Sequence, residues 1–310
     1  MLKYAAKRLM EAVPTTFGVL LLAFALFNLV GGSPAETALG KNATAESIAA
    51  FNRKYGYDKP LFFAADSQFV TFVVNLAKGD LGYSIEYDEP VADVLKRGVG
   101  PSVTLALPVL AGGVVAALAT ALLACAFRGR LPDKAVLAGS ALFMSVNYIV
   151  WVLAGQFLLS FKAGMFPLWG CAGPGHFVLP VLIGIVSSLG MDIRFFRTAV
   201  LDEIYRPYVL AVRSKGVSGA GLMVRHVLRN SLVPVVTYVS LSIPYLFTGS
   251  LLLESFFGIP GLGSVSINAI QSSDMAVVRA VVVLGALVYQ AVNIATDIAC
   301  ATLDPRIRLS

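Results

Sequence analysis

Apolar positions along this chain collect into six long runs, with the polar residues gathered between them. A helix crossing the hydrocarbon of a bilayer takes roughly 20 apolar residues. The runs approaching that length fall at about 9–30 ("LMEAVPTTFGVLLLAFALFNLV"), 101–127, 135–161, 177–191, 232–253 and 277–303, the fourth being the shortest. Uncharged runs of this kind predict helices, because an open sheet edge in lipid leaves its backbone groups unpaired. Pro14, Pro108, Pro180, Pro234 and Pro244 fall inside the runs, where proline is tolerated and bends its helix.

Two polar stretches stand out between the runs. The first, 31–98, is the only sizeable polar region before the second span. In it "ATAESIAAFNRKYGYDKP" predicts a short helix capped by Thr44 and ended near Gly56. "LAKGDLGYSI" predicts turns, and "EPVADVLKRGVGPS" a further short helix. The second stretch, 206–231, holds Arg213, Lys215, Arg225, His226 and Arg229 without an acid from Ala211 onward. "RPYVLAVRSK" reads as a helix with Pro207 in its first turn and Gly216 at its end. Ser218 is placed to cap a second helix, on which Leu222, Arg225 and Arg229 share one line and Val224, Val227 and Leu228 form an apolar face. Such a basic, half-apolar pair suits an anionic inner leaflet or a groove on a cytosolic partner.

Composition strengthens the membrane reading: 57% of the 310 residues are hydrophobic and 14% charged, and the mean hydropathy is +0.78. The basic residues set an orientation. Lys3, Lys7 and Arg8, then Arg128, Arg130 and Lys134, then the group from Arg194 to Arg229, then Arg306 and Arg308 fall on one side, which predicts both termini in the cytoplasm. The first run is long and lacks an A-x-A site after it, so it reads as an uncleaved span and not as a signal peptide.

Catalytic chemistry is missing from the pattern. There is no phosphate-loop or dinucleotide glycine motif. Cys125, Cys171 and Cys300 are far apart, and His176 and His226 sit at opposite membrane ends, so no metal or catalytic residue is assigned. Asp192 and Asp297 read as lying near cytoplasmic ends of spans four and six, and Glu254 at the outer end of span five. A carrier driven by protons or sodium keeps ionisable groups near the midplane, so their scarcity points to an energy source on another subunit. A stand-alone secondary transporter would show related halves, and an intramembrane enzyme a Ser/His, paired-Asp or metal constellation. Uncharged polar residues do occur in the spans, among them Gln156, Ser187, Ser188, Thr237 and Gln290. Bonding between helices is the commoner use of such groups. Asn147 and Asn293 fall nearest mid-span and are the candidates for a transport pathway.

Six ordered motifs resemble those of binding-protein-dependent ABC importer permeases of the oligopeptide, dipeptide and nickel class. They are the opening "KRLMEAVPTTFGVLLLAFALFNLVGGSP", "KYGYDKPL" with "KGDLGYSI", "GPSVTLAL", "YVLAVRSKGVSGAGLMVRHVLRNSLVPVV", "LLESFFGIPGLG" and the terminal "LDPRIRL". The acidic residue of the broader family's coupling motif is absent, since those positions read Leu210, Ala211 and Val212, and "AADSQFVTF" near 64–72 is more irregular than the family pattern.

The resemblance implies an all-α integral membrane protein of the type I importer permease fold, with six transmembrane helices. Its parts are a first helix at 1–30, an extracytoplasmic segment at 31–98, a five-helix core at 99–303 with the coupling segment 206–231, and a cytoplasmic tail at 304–310. It implies a permease for short peptides, or else for nickel or another small solute, in a bacterial or archaeal cytoplasmic membrane. The partners implied are a second homologous permease, two cytosolic ATPase subunits, an extracytoplasmic solute-binding protein and membrane lipid, with no nucleic acid. No cofactor is expected on this chain, ATP and Mg²⁺ belonging to the ATPases. Ala211, Arg213, Lys215, Gly216, Val217 and Ser218 are the implied ATPase-coupling residues. Phe256, Phe257, Pro260, Gly261 and Gly263, in a Gly- and Ser-dense run that would break a straight helix, are the implied outer gate in a partly re-entrant segment.

Overall fold

The computed structural model describes residues 2–29, 35, 39–40, 43–62, 64, 66–217, 219–243 and 250–303. Pro244, Ser218 and the 304–310 tail lie outside them. The described residues are mostly helical, and the strands among them form one short antiparallel hairpin, β1 (Tyr83–Ser84) and β2 (Glu89–Pro90). Four helices are long and apolar enough to cross a membrane alone: α1 (Leu2–Leu29), α4 (Val91–Ala126), α7 (Gly175–Ile204) and α13 (Met275–Leu303). Two bent pairs bring the number to six if each is one span. The first is α5 (Leu131–Ser145) with α6 (Tyr148–Gly155) and its π-helical continuation to Lys162, bent by 90°. The second is α11 (Leu251–Phe257) with α12 (Leu262–Gln271), bent by 86°.

Between α1 and α4 lie α2 (Ala45–Tyr55) and α3 (Gln68–Ala77). Thr44 caps α2 by accepting from the Ser47 amide, and Gly56 ends it at φ +75, a left-handed turn that glycine takes without penalty. The β hairpin is bolted to the start of α13 by Asp274, which accepts from the Ser84 hydroxyl at 2.5 Å and the Val277 amide at 3.3 Å. The "VADVLKRGVG" stretch does not form a helix of its own: it is the first part of α4, which continues through Pro101 and Pro108. The 98/99 division therefore falls within one rod.

The core is a column built on α4 and α7. Near one end Leu105 packs with Val152, Leu179, Ile183 and Phe257. At mid-height Ala117 and Ala121 meet Ile193, Phe196 and Val235. At the other end Cys125 meets Val200, Ile204, Val209 and Val227; this end carries the Arg128–Arg130 loop and is called the basic end below. Small residues let the rods touch closely: a Cβ on Gly190 would lie 2.6 Å from the Ser140 carbonyl oxygen of α5.

The fourth span corrects the expectation from hydropathy. It runs 30 residues to Ile204, well past the apolar run at 177–191. The charges that ended the apolar pattern are accommodated by partners. Arg197 donates from Nε and Nη2 to Asp133 at 2.8 and 2.9 Å, and Asp133 also accepts from the Gly129 amide at 2.9 Å. Arg194 donates to the Ser140 hydroxyl at 3.0 Å. Asp133 and Arg197 have 5% and 18% side-chain exposure, so the pair latches the loop, α5 and α7 together in a poorly hydrated place. Breaking such a pair from one side costs roughly 3–5 kcal/mol. Asp133→Ala is therefore expected to lower the thermal midpoint of the detergent-purified protein by about 10 °C; an unchanged midpoint would contradict a structural latch.

Candidate functional site

Three features of the sequence-derived site lie at different heights. At the basic end, α8 (Pro207–Ser214) begins with Pro207 at its first turn and closes through Gly216, whose amide donates to the Arg213 carbonyl at 2.9 Å. Gly216 sits at φ +83, as expected of the turn, and no atom lies within 4 Å of where its Cβ would be. Ala211, Arg213, Lys215 and Gly216 are exposed, while Val217 packs on the cluster around Val209 and Leu222. Ser218, with its expected capping role, lies outside the described residues.

The chain then rises as α9 (Gly219–Leu222), a π-helical turn over Met223–Leu228, and α10 (Arg229–Ser242). The π turn alters the expected face. Spacing of i to i+5 puts Leu222 and Val227 together in the core, while Val224 is 60% exposed. Arg213, Lys215, Arg225 and Arg229 make no ion pair with a described residue. This leaves a basic, solvent-facing elbow anchored from beneath by Val209 and Val227.

Near the opposite end, α11 and α12 fold back on each other around Glu254. Its carboxylate is fully buried. Oε1 accepts from the Ser102 hydroxyl at 2.8 Å and the Ser250 amide at 3.0 Å; Oε2 accepts from the amides of Gly263 at 2.6 Å and Ser264 at 3.2 Å. Ser102 in turn accepts from the Leu262 amide at 2.7 Å, which ties the hairpin to α4. The gate candidates surround this knot. A Cβ on Gly261 or Gly263 would come within 2.4 or 2.8 Å of Glu254 Oε2, so the carboxylate itself demands glycine at both places. Phe257 is buried, Phe256 is half-buried and Pro260 is exposed. The Phe256 and Phe257 carbonyls accept from Gln156 Nε2 at 3.0 Å and the Gly170 amide at 2.8 Å, which fixes the bend of α11 against the loop after α6.

Between these ends lies a cavity of about 370 Å³ bounded by α4, α6, α7, α10 and α11. Its polar lining includes Tyr148, Ser187, Ser188, Asp192, Tyr238 and Ser250. The pathway candidates are not brought together there. Asn147 caps α6 at the 90° bend, accepting from the Ile149 amide at 2.9 Å, next to the cavity-lining Tyr148. Asn293 lines a separate crevice with Glu11, Thr15, Thr237, Gln290 and Asp297.

Sequence reasoning missed Asp192 as a cavity residue. Once α7 is continuous to Ile204, Asp192 stands inside the helix and not at its end. The available signal was the spacing of Ser188, Asp192 and Arg194 on one rod, which hydropathy averages away.

Comparison with known proteins covers nearly the whole length. Residues 109–309 match the family described as "Binding-protein-dependent transport system inner membrane component". Residues 1–106 match its companion, "Binding-prot-dependent transport system membrane comp, N-term". The chain is 30% identical, over 99% of both sequences, to the "Glutathione transport system permease protein GsiC" of Shigella flexneri serotype 5b (strain 8401). The same identity and coverage hold for the protein of that name in Escherichia coli (strain K12).

Proposed function

Because the chain belongs to the family of binding-protein-dependent transport system inner membrane components, and is a multi-pass permease subunit of an ABC importer and not an enzyme, we propose that it forms the passage for short peptides, glutathione among them. In this reading a second, homologous permease completes the passage, two cytosolic ATPase subunits carrying ATP and Mg²⁺ drive it, and an extracytoplasmic solute-binding protein loads it. The basic end then faces the cytoplasm, with both termini. The α8–α9 elbow at Arg213, Lys215 and Gly216 docks in the ATPases, and the α11–α12 hairpin with Phe256, Phe257, Pro260, Gly261 and Gly263 closes the outer side.

The observation that carries the reading is the elbow. Four cations without an ion pair among the described residues, around a turn that only glycine adopts readily, make a surface suited to an acidic groove. ATP binding can bias the spans only through contacts that differ between states, and a rigid elbow rooted in the α7–α10 core transmits such a difference. The test is reconstitution. Vesicles holding the full complex, with solute-binding protein outside and ATP inside, are expected to accumulate a labelled tripeptide or glutathione. Vesicles holding this chain alone are expected to accumulate neither, and accumulation there would overturn the reading.

A further inference from the structure

Asp192 takes no part in the coupling or gating just described, yet it occupies a costly position. Gly113, against which it rests, is roughly 20 Å along α4 from the basic end, so the carboxylate lies within the span. An ionisable group at that depth is expensive and ordinarily has a partner or a task. Among the described residues Asp192 has one partner, the Tyr238 hydroxyl, which donates to Oδ1 at 2.7 Å. No described Lys, Arg or His pairs with it, and the nearby Arg194 is turned to Ser140.

The surroundings of the second oxygen are equally specific. The point where a Cβ on Gly113 would sit is 3.9 Å from Asp192 Oδ2 and 3.4 Å from the Ser188 hydroxyl oxygen, and all three residues line the cavity. Ser188 donates its proton to the Ile185 carbonyl at 3.2 Å, and Ser187 donates to Gly184 at 2.8 Å. Their lone pairs remain to accept. A negative charge beside hydroxyl acceptors, with its own tyrosine donor already committed, is a complement to a group with several N–H donors and one positive charge.

We propose that Asp192, oriented by Tyr238 and assisted by Ser188, binds the primary ammonium group of the solute inside the passage, the α-amino group of a short peptide. The inference rests on the permease reading and adds which end of the solute this chain holds. The absence of a side chain at Gly113 keeps the approach to both oxygens open.

Calorimetric binding to the whole permease–ATPase complex in lipid nanodiscs, without solute-binding protein, tests it. Trialanine and glutathione are each compared with their N-acetylated forms. The free amines are expected to bind at least roughly tenfold more tightly, the worth of a charge-assisted bond. Asp192→Asn is expected to erase that preference. Gly113→Ala suits a helix and meets only ordinary contacts; it is expected to weaken the free amines and spare the acetylated forms. Equal behaviour of free and acetylated probes in the wild type, including no binding of either, overturns the inference, as does a preference that survives Asp192→Asn. If Asp192→Asn fails to assemble, as it would were its counter-charge a cation of the second permease, the Gly113→Ala complex decides: an unchanged preference there overturns the proposal. Uptake by the same complex reconstituted into vesicles, with solute-binding protein outside and ATP inside, separates the two levels. ATP-driven uptake without amine preference sinks this inference alone, and no uptake sinks the permease reading beneath it.

Discussion

Gly216→Val is expected to reduce ATP-driven uptake roughly tenfold or more while the permease still inserts and folds, because the substitution strains one turn and disturbs nothing else. Gly216 holds φ +83, and no atom lies within 4 Å of the place its Cβ would take. The cost is therefore backbone strain and not collision. A β-branched residue in the left-handed region loses roughly 1–2 kcal/mol, about a factor of ten in an equilibrium. Two outcomes are open to the chain: to hold the turn under strain, or to relax it and swing Arg213 and Lys215 away from the core to which Val217 holds the next segment. Relaxation is cheaper, since these residues are exposed and make no ion pair that resists it. Gly216→Asn is the matched control, because asparagine tolerates this region and should keep most of the uptake. Uptake and co-purification of the ATPases from one membrane preparation check the result. Wild-type turnover by the valine variant would show that the elbow does not carry the coupling.

How far the sequence reaches can be judged from the same residues. The positive φ of Gly216, Pro207 at the first turn of α8 and Thr44 capping α2 are local matters, decided within four residues, and they were legible. The first, second, fourth and sixth apolar runs were legible too, since each lies along one helix. The third is broken into two helices, and the fifth, 232–253, runs from α10 into the start of α11. What escaped was set by partners far along the chain. Hydropathy stops the fourth span at 191 because it cannot know that Asp133, Ser140 and Tyr238 await Arg197, Arg194 and Asp192. The 90° break in the third span has no proline, and its only local mark is Asn147, which turned out to cap a helix. The π turn at Met223–Leu228 shifts the apolar face by one position, which no fixed 3.6-residue template allows. Glu254 looked like an ordinary boundary acid, because its main partner, Ser102, is 152 residues away.

Glu254→Gln is the second large effect, and here folding is the first thing at stake. Both carboxylate oxygens accept only: Oε1 from Ser102 and Ser250, Oε2 from Gly263 and Ser264. A glutamine fills the same volume and supplies one acceptor oxygen, but its amide presents hydrogens to whichever pair it faces. Facing Oε2's partners, it meets the two backbone N–H groups of Gly263 and Ser264. Facing Oε1's, it meets the Ser250 amide and a Ser102 hydroxyl whose oxygen already accepts from Leu262. Either way at least one buried N–H is left without an acceptor, at roughly 1–3 kcal/mol for each such group, with the loss of a charge-assisted bond added. Turning Ser102 to relieve one clash would loosen the tie between α4 and the first turn of α12. The hairpin at Phe256–Gly263 is the region expected to open. Limited proteolysis and cysteine accessibility near Pro260 should rise, while the Asp133–Arg197 latch at the far end stays intact. Glu254→Ala, which abandons all four donors and leaves a void beside Gly261 and Gly263, should be worse, with little protein recovered. A glutamine variant with unaltered protection at Pro260 and unaltered uptake would mean that the buried carboxylate does not hold the gate in its bent form.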